Sequence, residues 1–159
     1  MSAILTDFTG SRRDMDTYSG RLVRFDADAR SSGAIRKVVS DNATQAGFDS
    51  DALADLLLAV GEAFTNAIRH GDACKEGGVT VEIIASPVEV TVILEYAGKS
   101  FCHKIPCLSE AVNLSGGGLG RMIMYSVLDE VNYEFRNGYT IVRMVKRASV
   151  KPSQNSTPM

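Results

Sequence analysis

A chain of 159 residues with 45% apolar residues, 23% charged residues and a net charge of -2 has the make-up of one soluble globular domain, which on folding buries roughly 70% of its extended surface. The acidic balance argues against general binding to nucleic acid or to an anionic membrane. No apolar run is long enough to span a bilayer. The N-terminus lacks the charged start and apolar stretch of a signal peptide, and three cysteines without framework spacing fit reduced thiols in a cytoplasm.

Residues 1–19 are polar and poorly patterned, and are expected to form a flexible N-terminal segment. Leu22-Val23-Arg24-Phe25 reads as a short strand. A helix is expected from about Ala29 to Ala46, with Ile35, Val38, Val39, Ala43 and Ala46 on one face and Gly47 as its stop. Asp49 or Ser50 can cap the next helix, which runs to His70 and ends at Gly71. Its Leu53, Leu56, Leu57, Val60, Phe64 and Ile68 follow the spacing of a core stripe. Val79, Val81 and Ile83 alternate with Thr80 and Glu82 as in a half-buried strand. Ser86-Pro87 makes a turn, and Val88 to Tyr96 forms the partner strand.

Residues 97–117 show neither period. Leu119 to Leu128 reads as a helix, and Val131, Tyr133 and Phe135 then alternate with polar residues. Asn137-Gly138 is a strong hairpin signal, leading into a last strand from Tyr139 to Val145. Residues 148–159, rich in Ser and Pro, are expected to be a disordered tail. The order β-α-α-β-β-loop-α-β-β predicts one α+β domain over residues 20–147. Strand pairs joined by short turns imply a mostly antiparallel sheet with helices on one face.

Two features carry chemistry. Glu62 and Asn66 lie four residues apart, so they share one helix face, on the side opposite the core stripe. A carboxylate beside an amide oxygen suits a Mg²⁺ ion, which takes hard oxygen ligands, and a carboxylate can also polarise a hydroxyl. The same pair also fits a solvated helix face. The second feature is Gly116-Gly117-Gly118-Leu119-Gly120-Arg121. Glycines just before a helix admit a ligand close to the backbone, where the first N–H groups favour an anion such as phosphate. Flexible loops use glycine as well, but an irregular stretch of about 20 residues inside a compact domain is usually functional. Cys74, Cys102, His103 and Cys107 match no paired zinc knuckle and read as ordinary thiols and a histidine.

Glu62-x-x-x-Asn66-Ala67-x-x-His70-Gly71 resembles the N box of the histidine-kinase-like (GHKL) ATPases, and Gly116 to Gly120 resembles their G2 box. Leu128-Asp129-Glu130-Val131 and Ile141 to Arg147 resemble the anti-sigma factor serine-protein kinases of that superfamily, the RsbW and SpoIIAB type. The resemblance covers about residues 20–147. It implies a two-layer sandwich of the Bergerat type that binds ATP and Mg²⁺. It also implies transfer of the γ-phosphoryl group to a small STAS-type anti-sigma factor antagonist, with sequestration of a sigma factor in the cytoplasm. It leaves room for a homodimer and calls for neither nucleic acid nor membrane.

Carried onto this chain, the resemblance makes Glu62 the catalytic carboxylate and Asn66 the Mg²⁺ ligand. Gly116, Gly118 and Gly120 surround the phosphates with Leu119 nearby, and His70 flanks the site. One box departs. Where the family has an aspartate that receives the adenine amino group, Tyr96 stands, followed by a matching Gly98; Ser100 and Cys102 replace a further glycine and aspartate. A tyrosine can accept a hydrogen bond but not the charge-assisted one, which is about twice as strong. The alternative to a kinase is therefore a non-catalytic protein-binding regulator on the same fold, with weakened nucleotide binding.

Overall fold

The computed structural model describes residues 5–11, 17–73, 77–98 and 118–149. Its elements are β1 (Leu5–Ser11), β2 (Thr17–Phe25), α1 (Ser31–Gln45), α2 (Ser50–His70), β3 (Val79–Ala85), β4 (Glu89–Ala97), α3 (Gly118–Val127), β5 (Glu130–Arg136) and β6 (Tyr139–Arg147). The strands form one six-stranded sheet in the order β1-β2-β3-β4-β6-β5, and every neighbouring pair is antiparallel. Helices α1 and α2 pack on one face, as the α+β reading requires.

Helix α2 organises the core. Asp49 caps it by accepting a hydrogen bond from Ala52 N at 3.4 Å; losing such a cap costs about 1 kcal/mol. Leu53, Leu56, Val60 and Phe64 are buried along its inner stripe, while Leu57 and Ile68 are half-buried at its margins. They meet Val79, Val81 and Ile83 of β3, Val90, Val92 and Leu94 of β4, and Val142 and Met144 of β6. Removing a side chain such as Leu56, which is fully buried, costs about 2–5 kcal/mol. Helix α1 adds Ile35, Val39 and Ala43, and it stops at Gly47, whose φ of 78° is the left-handed conformation that glycine adopts freely. The Asn137-Gly138 turn has positive φ at both residues, 54° and 84°, as a tight two-residue hairpin needs.

The N-terminal stretch differs from the expectation of a flexible segment through residue 19. Residues 5–11 form the edge strand β1, and β2 begins at Thr17 rather than Leu22. Their register runs unbroken from Leu5↔Val23 to Ser11↔Thr17. A backbone ladder of this kind leaves no mark in side-chain periodicity. Helix α1 starts at Ser31 rather than Ala29, after a turn in which Asp28 accepts hydrogen bonds from the Arg30 backbone and guanidinium. The loop after residue 98, with Gly116, and the tail from residue 150 lie outside the described residues.

A lysine ties three elements together. Lys146, on the inner side of β6, donates to Asp55 Oδ2 of α2 at 2.8 Å and to Val127 O, the last residue of α3, at 2.6 Å. The opposite face of the sheet carries ion pairs instead, with Arg143 and Arg147 both on Glu130 and Arg147 also on Glu89.

Candidate functional site

The first part of the site lies where α2 meets α3. Glu62 and Asn66 are both half-buried, because α3 packs beside the face of α2 that carries them. Helix α3 begins at Gly118; Leu119 turns outward, 51% exposed, and Gly120 is buried. A Cβ at Gly120 would lie 2.5 Å from Glu62 Oε2, 3.5 Å from its Cδ and 3.6 Å from its Cβ. Residues 58 positions apart in sequence are thus brought together: the carboxylate of one motif rests against the last glycine of the other. His70 is exposed in the last turn of α2, where a basic group suits the helix dipole.

The second part is the corner where α2 ends. Asp72 N donates to Ala97 O at 2.8 Å, Gly98 N donates to Gly138 O at 3.0 Å, and Thr140 Oγ1 donates to Gly98 O at 3.2 Å. These bonds lock the end of β4 against the end of α2. Tyr96 points into the layer between sheet and helices and is 1% exposed, as its shared face with Val90, Val92 and Leu94 predicts. Its ring lies on Gly71, where a Cβ would be 2.7 Å from Cδ2 and 2.6 Å from Ala67 O. Gly71 ends α2 with φ −91°, a conformation open to any residue, so contact with the ring explains the glycine. Gly98 has φ 126°, and a Cβ there would lie 2.6 Å from Asp72 N.

Among the described residues the buried Tyr96 hydroxyl makes no hydrogen bond of good geometry: Thr140, its cross-strand neighbour, directs its own hydroxyl to Gly98. Burial pushes the phenol up to about 12, with the nearby Thr140 hydroxyl opposing the shift. Tyr133, on β5, has its hydroxyl 3.6 Å from Met124 Sδ of α3; burial, together with the neighbouring phenols of Tyr96 and Tyr125, raises its pKa as well. The sequence offered no signal for this phenol cluster beyond the inward phase of Tyr96 and Tyr133 on their strands.

Among the described residues no group of three or more His, Cys, Asp or Glu side chains converges to hold a metal ion. Asn66, half-buried beside Glu62, offers an amide oxygen that would suit a Mg²⁺ taking its other ligands from phosphate and water. Cys74, Cys102, His103, Cys107 and Gly116 lie outside the described residues.

The fold sets the class: a two-layer α+β domain in which a helix bearing a carboxylate and an amide lies beside a glycine-led helix. The chain belongs to the histidine kinase-like ATPase domain family, which matches residues 25–146, and within it to the RsbW serine-protein kinases. It is 32% identical over 124 residues to the serine-protein kinase RsbW of Bacillus licheniformis, spanning 69% of this chain and 74% of the relative. The RsbW of Bacillus subtilis strain 168 is equally similar, at 32% over 124 residues. The RsbW of Listeria monocytogenes serovar 1/2a is 29% identical over 116 residues. The crystal structure of the RsbU and RsbW domains of a Mycobacterium tuberculosis protein shares the fold, with a TM-score of 0.63 at 18% identity. That match covers 84% of this chain and 33% of the mycobacterial chain. An ATPase domain is thus the family's core, and no helix among the described residues is long and apolar enough to cross a membrane.

Proposed function

We propose that this protein is an ATP-dependent serine/threonine kinase acting as an anti-sigma factor, which phosphorylates a small STAS-type antagonist and sequesters a sigma factor in the cytoplasm. The observation that carries the reading is the Glu62 carboxylate seated at the start of α3, beside the glycines that suit phosphate. Glu62 accepts the proton of the acceptor hydroxyl and orients its oxygen toward the phosphoryl group. Asn66, one turn further along α2, supplies an amide oxygen to Mg²⁺. The ion, when bound, neutralises charge on the phosphate oxygens. Of the glycines that the resemblance assigns to phosphate, Gly118 and Gly120 lie in the first turn of α3, where backbone N–H groups suit those oxygens, with Leu119 and His70 at the margin. Gly98 and Tyr96 line the base end. Such a sparse kit suffices, because positioning and charge neutralisation supply most of the catalysis in phosphoryl transfer.

A second reading, a non-catalytic regulator that holds a partner protein, is favoured by one observation: the aromatic ring of Tyr96 fills the corner against Gly71. Calorimetry with Mg-ATP and Mg-ADP separates the two, combined with phosphate transfer from labelled ATP to a recombinant STAS-domain antagonist. The kinase reading expects nucleotide binding and transfer that Glu62→Ala abolishes in a folded protein. Absence of both binding and transfer in the wild type supports the regulator. Full activity in Glu62→Ala removes Glu62 from the catalytic role.

A further inference from the structure

Position 120 has no backbone reason to be glycine. It lies in the first turn of α3, outside the left-handed region, at a place where alanine is the better helix former. What it lacks room for is a side chain: the nearest atom to a Cβ there is Glu62 Oε2, at 2.5 Å, and the next two are also Glu62 atoms. No backbone atom of another element comes as close. The space a methyl group would fill is the space the carboxylate occupies.

We propose that Gly120 is a positioning residue for Glu62: its bare α-carbon leaves the seat in which the carboxylate is held. This rests on the kinase reading for its consequence, and it gives Gly120 a duty separate from the phosphate contacts of the glycine loop. The N–H of the residue belongs to the helix start, while its α-carbon side belongs to Glu62. Because the atom in the way is the end of a flexible side chain, Gly120→Ala folds and moves the carboxylate rather than the helix.

The test is a cycle of four proteins: wild type, Gly120→Ala, Glu62→Ala and the double variant. Each is measured for Mg-ATP affinity by calorimetry, for kcat and KM of ADP release from Mg-ATP with the recombinant STAS-domain antagonist present as the phosphoryl acceptor, and for melting temperature. Gly120→Ala is expected to lose roughly 100-fold in kcat, the scale of an ångström-sized misplacement, over and above any change in Mg-ATP affinity. In the Glu62→Ala background the same substitution has no further effect on turnover. It also raises the melting temperature there by about 2 °C, the gain of replacing a helical glycine, and gains less or loses stability when Glu62 is present.

Wild-type kcat in Gly120→Ala, a loss of Mg-ATP affinity in place of kcat, or additive melting shifts across the pair would each overturn the proposal. A Gly120→Ala protein that unfolds while the double variant folds supports it; unfolding of both overturns it. Absence of turnover in the wild type removes the kinase reading alone, and the melting cycle then still decides whether Gly120 seats Glu62.

Discussion

The ring of Tyr96 occupies the place where a side chain on residue 71 would stand: a Cβ on Gly71 would meet Tyr96 Cδ2 at 2.7 Å and Cε2 at 2.8 Å. The last residue of β4's buried row and the residue that ends α2 are therefore matched as bulk and void. Backbone bonds from Asp72 to Ala97 and from Gly98 to Gly138 prevent the two from drifting apart.

Gly71→Ala should destabilise the fold by about 1–3 kcal/mol, the usual cost of overpacking a closed interior. The methyl group meets Ala67 O as well as the ring, so neither neighbour yields easily. Urea denaturation measures the loss. An unchanged midpoint would show that the corner can open without cost.

Tyr96→Phe removes a buried hydroxyl that, among the described residues, makes no hydrogen bond of good geometry. Stability should hold or rise slightly, since an unsatisfied buried polar group carries a penalty of about 1–3 kcal/mol. Any fall in Mg-ATP affinity in that variant would assign the hydroxyl to nucleotide. Tyr96→Asp should melt lower when free, because it buries a carboxylate. It should bind ATP more tightly by about 1–2 kcal/mol and favour it over GTP. Strict adenine selectivity in the wild type would show that another group reads the base.

The raised pKa of Tyr96 sets a sign for alkaline stability. The folded state holds the phenolic proton to about 12, whereas the unfolded chain releases it near its ordinary value of 10. The folded state therefore binds more protons between those values, and stability is complete below pH 10 and falls from there to pH 12. About 2–3 kcal/mol is at stake for a group this buried. Tyr96→Phe should flatten part of the fall, and Tyr133, also raised by burial, should keep the rest. Denaturant titrations from pH 9 upward check both slopes.

Asn66→Ala should weaken nucleotide binding in the presence of Mg²⁺ and leave binding in chelator unchanged. Equal affinity for Mg-ATP in the variant and the wild type would remove Asn66 as a metal ligand.

Lys146→Met should cost about 1 kcal/mol, the scale of a charge-assisted hydrogen bond offset by better burial of the stem. Amide hydrogen exchange should rise in the last turn of α3 more than in α2. Uniform change across both helices would indicate a general loss of stability instead.

Much of this architecture was legible because local rules govern it. Helix α2 occupies Ser50–His70, as the Asp49 cap, the apolar stripe and the end at Gly71 require. The Asn137-Gly138 turn and the alternating β3 likewise obey one-dimensional patterns. Strand β1 escaped because its place depends on pairing with β2, which no periodicity encodes. In the candidate site, the Glu62/Asn66 face and the inward phase of Tyr96 could be read from spacing. The contact between Glu62 and Gly120 could not, because it exists only once α3 lies along α2. The glycine at 71 looked like a helix stop, and its cause proved to be a ring 25 positions away.

The attachment of Lys146 to Val127 fastens α3 at its far end and leaves the sheet and α2 as its footing. A ten-residue helix is about 15 Å long. A tilt of about 5° at the pin carries its first turn about 1 Å across α2. That is the distance over which a reacting group loses its alignment. The position of Lys146 thus bears on Glu62, a residue it does not touch, through the length of α3.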